Sequence, residues 1–228
     1  VDNVEQHILF EDNHLLAVCK PAGLLCHGDA TGDETLTDIY RKYLKIKYKK
    51  PGNVFLNPAH RIDRPVSGAL MMARTSKANG RLAQAFKEKN VQKTYWAICQ
   101  KKPRDIEGKM VNYLSRNQNK NKSFVTSKNE DGAKRAELNY RLLADLDNSC
   151  LLEIQLITGR HHQIRAQLAH MNCAIIGDLK YGSRVKTDGR SIGLHAKSIQ
   201  LMHPVQKTQL NVIAPLPNKD FWLQYAGF

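Results

Sequence analysis

Between residues 136 and 156 apolar and polar side chains alternate with a period of two, a pattern that admits little except a β-hairpin. Ala136, Leu138, Tyr140 and Leu142 share one face, and Glu137, Asn139 and Arg141 share the other. Turn formers follow from Asp145 to Ser149, after which Cys150, Leu152, Ile154 and Leu156 resume the alternation. A sheet with one buried face needs further strands. Residues 7–11 and 15–20 supply two around the turn Asp12-Asn13, residues 194–202 and 209–214 two more. The apolar run 68–74 reads as a buried strand, and 91–100, apolar on both faces, as an interior one. Helical spacing marks 35–48, where Leu36, Ile39, Tyr40, Tyr43 and Leu44 share a side. It also marks the stretch from an N-cap at Ser76 to a C-terminal cap at Asn90, with Ala78, Leu82, Ala85 and Phe86 on one face. Shorter helices are expected over 161–170 and 220–225. Strands outnumber helices and hairpins outnumber βαβ patterns. The expected class is therefore α+β, a mixed, mostly antiparallel sheet with flanking helices. Without a linker or repeat, residues 1–228 read as a single domain.

Charge narrows the partners. Lys and Arg number 35 against 21 Asp and Glu, a surplus of 14. That favours an acidic partner, nucleic acid or an anionic membrane surface. No basic amphipathic helix with a bulky apolar face favours the membrane, and no apolar run is long enough to span one. In residues 101–135, Arg116, Lys120, Lys122, Lys128, Lys134 and Arg135 are spread among Asn, Ser and Gly. This stretch reads as a mobile basic loop or a hairpin, either solvated or following an RNA backbone. Lys45-Ile46-Lys47-Tyr48-Lys49-Lys50 reads as a solvated helix end or as a patch for phosphate and bases, and 27–34 as a polar loop. The cysteines, at 19, 26, 99, 150 and 173, are odd in number and form no CxxC pair. They argue against a disulfide framework or a Cys-rich zinc site and for reduced thiols in a cytoplasmic protein, several of them in the core. The polar, acidic start shows no signal peptide.

Nucleotide-binding GxxxxGK[ST] and GxGxxG loops are absent, as is HExxH. His161, His162 and His170 are the only clustered histidines, and adjacent ring directions on a helix diverge, so no metal site is expected. Two segments hold more polar residues than their apolar surroundings explain. His60-Arg61-Ile62-Asp63-Arg64-Pro65-Val66-Ser67-Gly68 sets an acid between two arginines at the mouth of a strand. Such an acid is either a structural ion pair or an ionised nucleophile or base. Thr158-Gly159-Arg160-His161-His162-Gln163-Ile164-Arg165 follows a strand and opens a helix. Gly159 permits a sharp turn there, and Arg160 and Arg165 pair with phosphate or carboxylate or simply coat an exposed helix.

Taken together these residues resemble the RluA-type pseudouridine synthases of ribosomal and transfer RNA. The His-Arg-Leu-Asp signature with a following Ser-Gly is matched by His60-Arg61-Ile62-Asp63 and Ser67-Gly68. Val18-Cys19-Lys20-Pro21-Ala22-Gly23 resembles the early Asn-Lys-Pro-Xaa-Gly turn, and Lys93-Thr94-Tyr95 the Lys-Xaa-Tyr motif. Residues 158–165 resemble Thr-Gly-Arg-Xaa-His-Gln-Ile-Arg. Gly177-Asp178 with Tyr181-Gly182, and Leu194-His195-Ala196 with His203-Pro204, complete a set that runs in order through nearly the whole chain. The departures are Ile62 for Leu, Pro65-Val66 for Xaa-Thr, Cys19 for Asn, and Asn172-Cys173-Ala174 for a Gly-Xaa-Pro turn. No small RNA-binding module of the S4 type is seen.

The resemblance implies a pseudouridine synthase fold with a central catalytic cleft holding Asp63. It implies isomerisation of uridine without a cofactor, and a monomer acting on ribosomal or transfer RNA. Asp63 is then the catalytic carboxylate. Three routes stay open for it: attack on ribose C1′, addition to the base, or removal of a ribose C2′ proton. Tyr95 is expected beneath the uracil, assisting proton removal at C5, and Arg165 is expected to keep Asp63 ionised. The uridine must leave its stack, and Arg61 is the candidate to fill the space. His60, Arg64, Arg160, His162 and Gln163 are expected to position RNA or brace the site. Two rival readings are a non-catalytic RNA-binding protein on the same scaffold and a metal-dependent nuclease or deaminase. The latter needs clustered carboxylates or a Cys/His set that this chain lacks.

Overall fold

A computed structural model describes residues 4–28 and 32–228. After a short 3₁₀ turn come β1 (Ile8–Glu11), β2 (Leu15–Lys20), α1 (Leu36–Lys47), β3 (Asn57–Pro58), β4 (Ser67–Ala73) and α2 (Ser76–Lys87). There follow β5 (Gln92–Cys99), β6 (Glu107–Asn117), β7 (Lys122–Thr126), β8 (Lys134–Leu146), β9 (Ser149–Leu156) and α3 (Gln163–His170). The chain finishes with β10 (Leu194–Met202), β11 (Gln209–Ile213) and α4 (Asp220–Leu223). The architecture is α+β on a mostly antiparallel sheet. The chain divides into two compact units, residues 1–91 with 196–215 and residues 92–195 with 216–228.

In the first unit β1 pairs with β2, β2 with β4, and β10 with β11, all antiparallel. Strand β4 is buried along its whole length. Its odd-numbered residues Ala69, Met71 and Ala73 pack with Leu15 and Ala17 of β2, Ile199 and Leu201 of β10, and Ala78 and Leu82 of α2. Each large apolar side chain so buried contributes about 1.5–3 kcal/mol. Gly68 has no substitute: at φ 116 a Cβ would lie 2.3 Å from the Ala196 carbonyl oxygen. Helix α2 begins one residue earlier than its sequence suggests. Thr75, at φ −138, is the N-cap and accepts from Ala78 N–H, while Ser76 is already helical. Its exit differs too: Lys89, at φ 61, takes the left-handed position expected of Asn90. Bonds from Lys89 N to Phe86 O and from Asn90 N to Ala85 O close a Schellman motif there.

In the second unit the strand order is β5-β9-β8-β6-β7. The β8–β9 hairpin is tighter than expected: Leu146 pairs with Ser149, so the turn is Asp147-Asn148 alone. A register shift between Leu142 and Ala144 interrupts the alternation late in β8. The basic stretch is a hairpin, not a loop. Strand β6 pairs with β7 and, from Glu107 to Leu114, with β8. Trp96, Ile98, Leu151, Trp222 and Tyr225 form one core cluster, and Leu114, Ala136, Ala166 and Tyr181 form another. Helix α3 starts two residues later than expected, at Gln163. Asn172, at φ 62, supplies the left-handed exit that a glycine would otherwise provide, with Cys173 N bonded to Leu168 O at 2.9 Å. The substituted exit is therefore a complete Schellman motif.

All five cysteines are free thiols, and Cys26, Cys99, Cys150 and Cys173 are buried as small core residues. Among the described residues, no helix is long and apolar enough to cross a membrane. Residues 29–31 of the loop expected over 27–34 lie outside the described set.

Candidate active site

Asp63 sits half-buried on the connection from β3 to β4, and the backbone around it is fixed from several sides. Before it, His60 Nε2 accepts from Met71 N–H at 3.1 Å, and its ring stacks on Phe86 with centroids 5.1 Å apart. The Ile62 carbonyl accepts from the Cys26 thiol at 3.4 Å. After it, Val66 N–H closes a turn onto the Asp63 carbonyl at 3.0 Å, bringing Arg64 and Pro65 to the corner. The Arg64 carbonyl then accepts from Gly23 N–H at 2.7 Å and from Lys20 Nζ at 3.2 Å.

Lys20 is the residue whose part the sequence left unassigned. Its side chain is fully buried, and its ammonium donates to the carbonyls of Pro21 at 3.0 Å and Leu24 at 2.8 Å as well as Arg64. Three N–H donors thus meet three carbonyls, binding the Pro21–Leu24 turn to the Asp63 loop. Burial pushes Lys20 down to about 8, against the pull of nearby Cys26 and Asp63 toward the charged form. Gly23 makes the turn possible at φ 92. Arg64 adds a second tie, donating from Nε to Gly23 O at 3.0 Å and pairing with Asp33 at 2.9 Å. Arg61 lies exposed on the same loop.

The second polar segment is built differently. Its turn is closed by Gln163 N–H onto Arg160 O at 3.1 Å, and the left-handed residue is His162, at φ 51, rather than Gly159. That conformation costs a non-glycine residue on the order of 1 kcal/mol. Side chains hold it. Gln163 Oε1 accepts from Thr158 Oγ1 at 2.7 Å and Arg160 N–H at 3.0 Å, and its Nε2 donates to Glu137 O at 3.1 Å. His162 Nδ1 lies 2.9 Å from Tyr181 Oη, which also accepts from Ser123 N–H. Burial, followed by the charge of Arg165, pushes His162 down to about 2, so its imidazole is neutral at physiological pH. Arg160 is exposed and donates to Arg135 O at 3.0 Å.

Arg165 is 5% exposed and makes a bidentate pair with Asp178, itself 1% exposed, at 2.6 and 2.8 Å. Its guanidinium carbon also lies 5.0 Å from the Tyr181 ring centroid. The roles of Asp178 and Tyr181 were missed, although both fall in the Gly177-Asp178 and Tyr181-Gly182 matches. Tyr95 is a buried residue of β5, opposite Ile154 in the ladder. Alternation turns it to the face away from Trp96 and Ile98. No group of three or more His, Cys, Asp or Glu is arranged for a metal among the described residues.

Known proteins resemble this chain in sequence and in fold. Residues 14–170 fit the family model for RNA pseudouridylate synthase. Ribosomal large subunit pseudouridine synthase C of Rickettsia felis is 33% identical over 213 residues, which cover 92% of this chain and 68% of that protein. Ribosomal large subunit pseudouridine synthase D of Zymomonas mobilis is 33% identical over 228 residues, covering 94% of this chain and 70% of that one. The solved structure of human RNA pseudouridylate synthase domain containing 4 superposes with a TM-score of 0.82 at 24% identity, covering 96% of this chain and 91% of that one, a likeness of fold. On the family model and these relatives, the chain belongs to the RNA pseudouridylate synthase family, a family of RNA-modifying isomerases.

Proposed function

We propose that this chain converts specific uridines to pseudouridine in a structured RNA, with Asp63 as the catalytic carboxylate. The observation that carries the reading is the clamped loop. A carboxylate on a surface loop rarely needs its backbone held by a buried ammonium, a thiol and a glycine amide, and one that must meet a reacting carbon does. Tyr95 lies beneath the uracil and assists at C5. Arg165 supplies positive charge for the reaction, and Asp178 fixes the plane of its guanidinium. Exposed Arg61 fills the space left by the extruded base, while Arg64 and Arg160 meet the RNA backbone. His60, His162 and Gln163, whose ring and amide groups bond within their own units, brace rather than touch RNA. Ribosomal or transfer RNA is the substrate, and the names of the two bacterial relatives favour the large ribosomal subunit. The five free thiols support a cytoplasmic, reducing setting.

The test is release of tritium from unmodified total RNA labelled at uracil C5, in the presence of chelator. The synthase reading expects release by the wild type and none by Asp63→Asn. RNA binding without release points instead to a non-catalytic binder, and activity that chelator removes points to a metal enzyme.

A further inference from the structure

The first unit carries a groove of about 670 Å³ lined by Arg41, Lys42 and Lys45 of α1 together with Phe55, Asn57 and Asn79. None of these residues has a part in the chemistry assigned to Asp63. Phe55 is 45% exposed, yet its backbone is anchored on the C-terminal side: the Leu56 carbonyl accepts from Arg41 Nη2 at 2.9 Å, the Leu56 side chain is buried, and Asn57 enters the β3–β4 ladder. A ring on a fixed backbone can stack at small entropic cost. Asn57 Nδ2 donates to Asn79 Oδ1 at 2.7 Å. Each amide has one further group, so the half-buried pair presents one acceptor beside one donor, the complement of a pyrimidine edge. Among the described residues Lys42 is tied only to Glu34, in an exposed pair, a weak tie that a phosphate can displace.

We propose that this groove is a second RNA site, which holds one unstacked nucleotide of the substrate strand: Phe55 on the face of the base, the Asn57–Asn79 pair at its edge, Lys42 and Lys45 on the flanking phosphates. The proposal deepens the RNA reading above and rests on it. The placement suits a positioning contact. Strand β3 joins β4 at Met72 and Ala73, whereas the Asp63 loop enters β4 at Ser67, the opposite end. The strand between them spans roughly 20 Å. A nucleotide seated in the groove would therefore lie a short length of strand away from the reacting uridine and set its register.

A short fluorescein-labelled oligouridylate, followed by anisotropy, provides the test. Phe55→Ala weakens binding about tenfold, and Phe55→Trp keeps it. The double variant Lys42→Ala with Lys45→Ala weakens it and lowers the salt slope by about two. Substituting 5-iodouridine yields a photo-cross-link on the peptide that contains Phe55. Affinity within about twofold of wild type in Phe55→Ala overturns the proposal, as does a loss confined to the lysine variant, which marks a mere cationic patch. Tritium release at saturating RNA reads the other claim separately. A wild type that binds the oligonucleotide but releases nothing from RNA would sink the synthase reading and leave the groove standing.

Discussion

The loop from His60 to Gly68 and the turn from Thr158 to Arg165 look alike as strings: each sets charged residues beside a strand, and each belongs to a family motif. Their physics differs. In the first, the backbone is what is held: neighbours grip the carbonyls of Ile62 and Arg64, and the amide of Val66 closes the turn onto Asp63. Arg61 lies exposed and Asp63 half-buried on that fixed frame. In the second, the side chains are the frame: Thr158, Gln163, His162 and Arg165 bond to buried partners. One segment is built to present a side chain, the other to hold a turn that its own backbone disfavours. Substitutions should therefore hurt turnover in the first and stability in the second, with Arg165 touching both.

The largest effect on stability is expected at Arg165. Arg165→Met leaves Asp178 buried without its cation and should cost about 3–5 kcal/mol in urea denaturation. A loss below about 1 kcal/mol would mean that the pair is not structural, and the contrast would weaken.

Lys20 comes next and reads out on the other side of the comparison. Lys20→Met should lower turnover on the order of 100-fold through misplacement of the Asp63 loop. It should also alter the pH profile. Below about 8 the ammonium has a proton for each of its three carbonyls, and above that value the amine has one too few. Wild-type turnover should therefore fall as pH rises through about 8, and Lys20→Met should lack that limb. Stability runs the other way. The unfolded lysine keeps its proton up to about its ordinary 10.5, so between 8 and 10.5 the unfolded chain binds more protons. The contribution of this residue to stability thus rises with pH over that window. A Lys20→Met variant that keeps wild-type turnover in steady-state assays would contradict the clamp.

The smallest effect concerns the exit of α3. At φ 62, Asn172→Val should cost about 1–2 kcal/mol by thermal melting, and Asn172→Gly should be near neutral. Equal stability of both variants would show that the left-handed residue matters little to the turn-bearing region.

The strands of this fold were legible because burial on one or both faces writes itself into the sequence as alternation or as an apolar run. Residues 67–73 follow that rule closely, and 136–142 follow it up to the register shift after Leu142. Helix ends were less legible. Thr75 and Ser76 are both good caps, and the backbone alone decides between them. Lys89 takes a left-handed position through Schellman bonds that no local pattern announces. Asp63 could be singled out by its flanking arginines and its motif. The clamp beneath it could not, because Lys20 gathers carbonyls at 21, 24 and 64, and only folding brings the last of these near the first two. The Arg165–Asp178 pair is non-local in the same way.

The central claim is that this loop fixes the position of a carboxylate, beyond merely supplying one. Asp63→Glu keeps the charge and moves it outward by one methylene. Single-turnover pseudouridine formation on saturating RNA measures the consequence directly. The account predicts a rate at least about 100-fold below wild type with unchanged RNA affinity; a rate within about fivefold of wild type would contradict it.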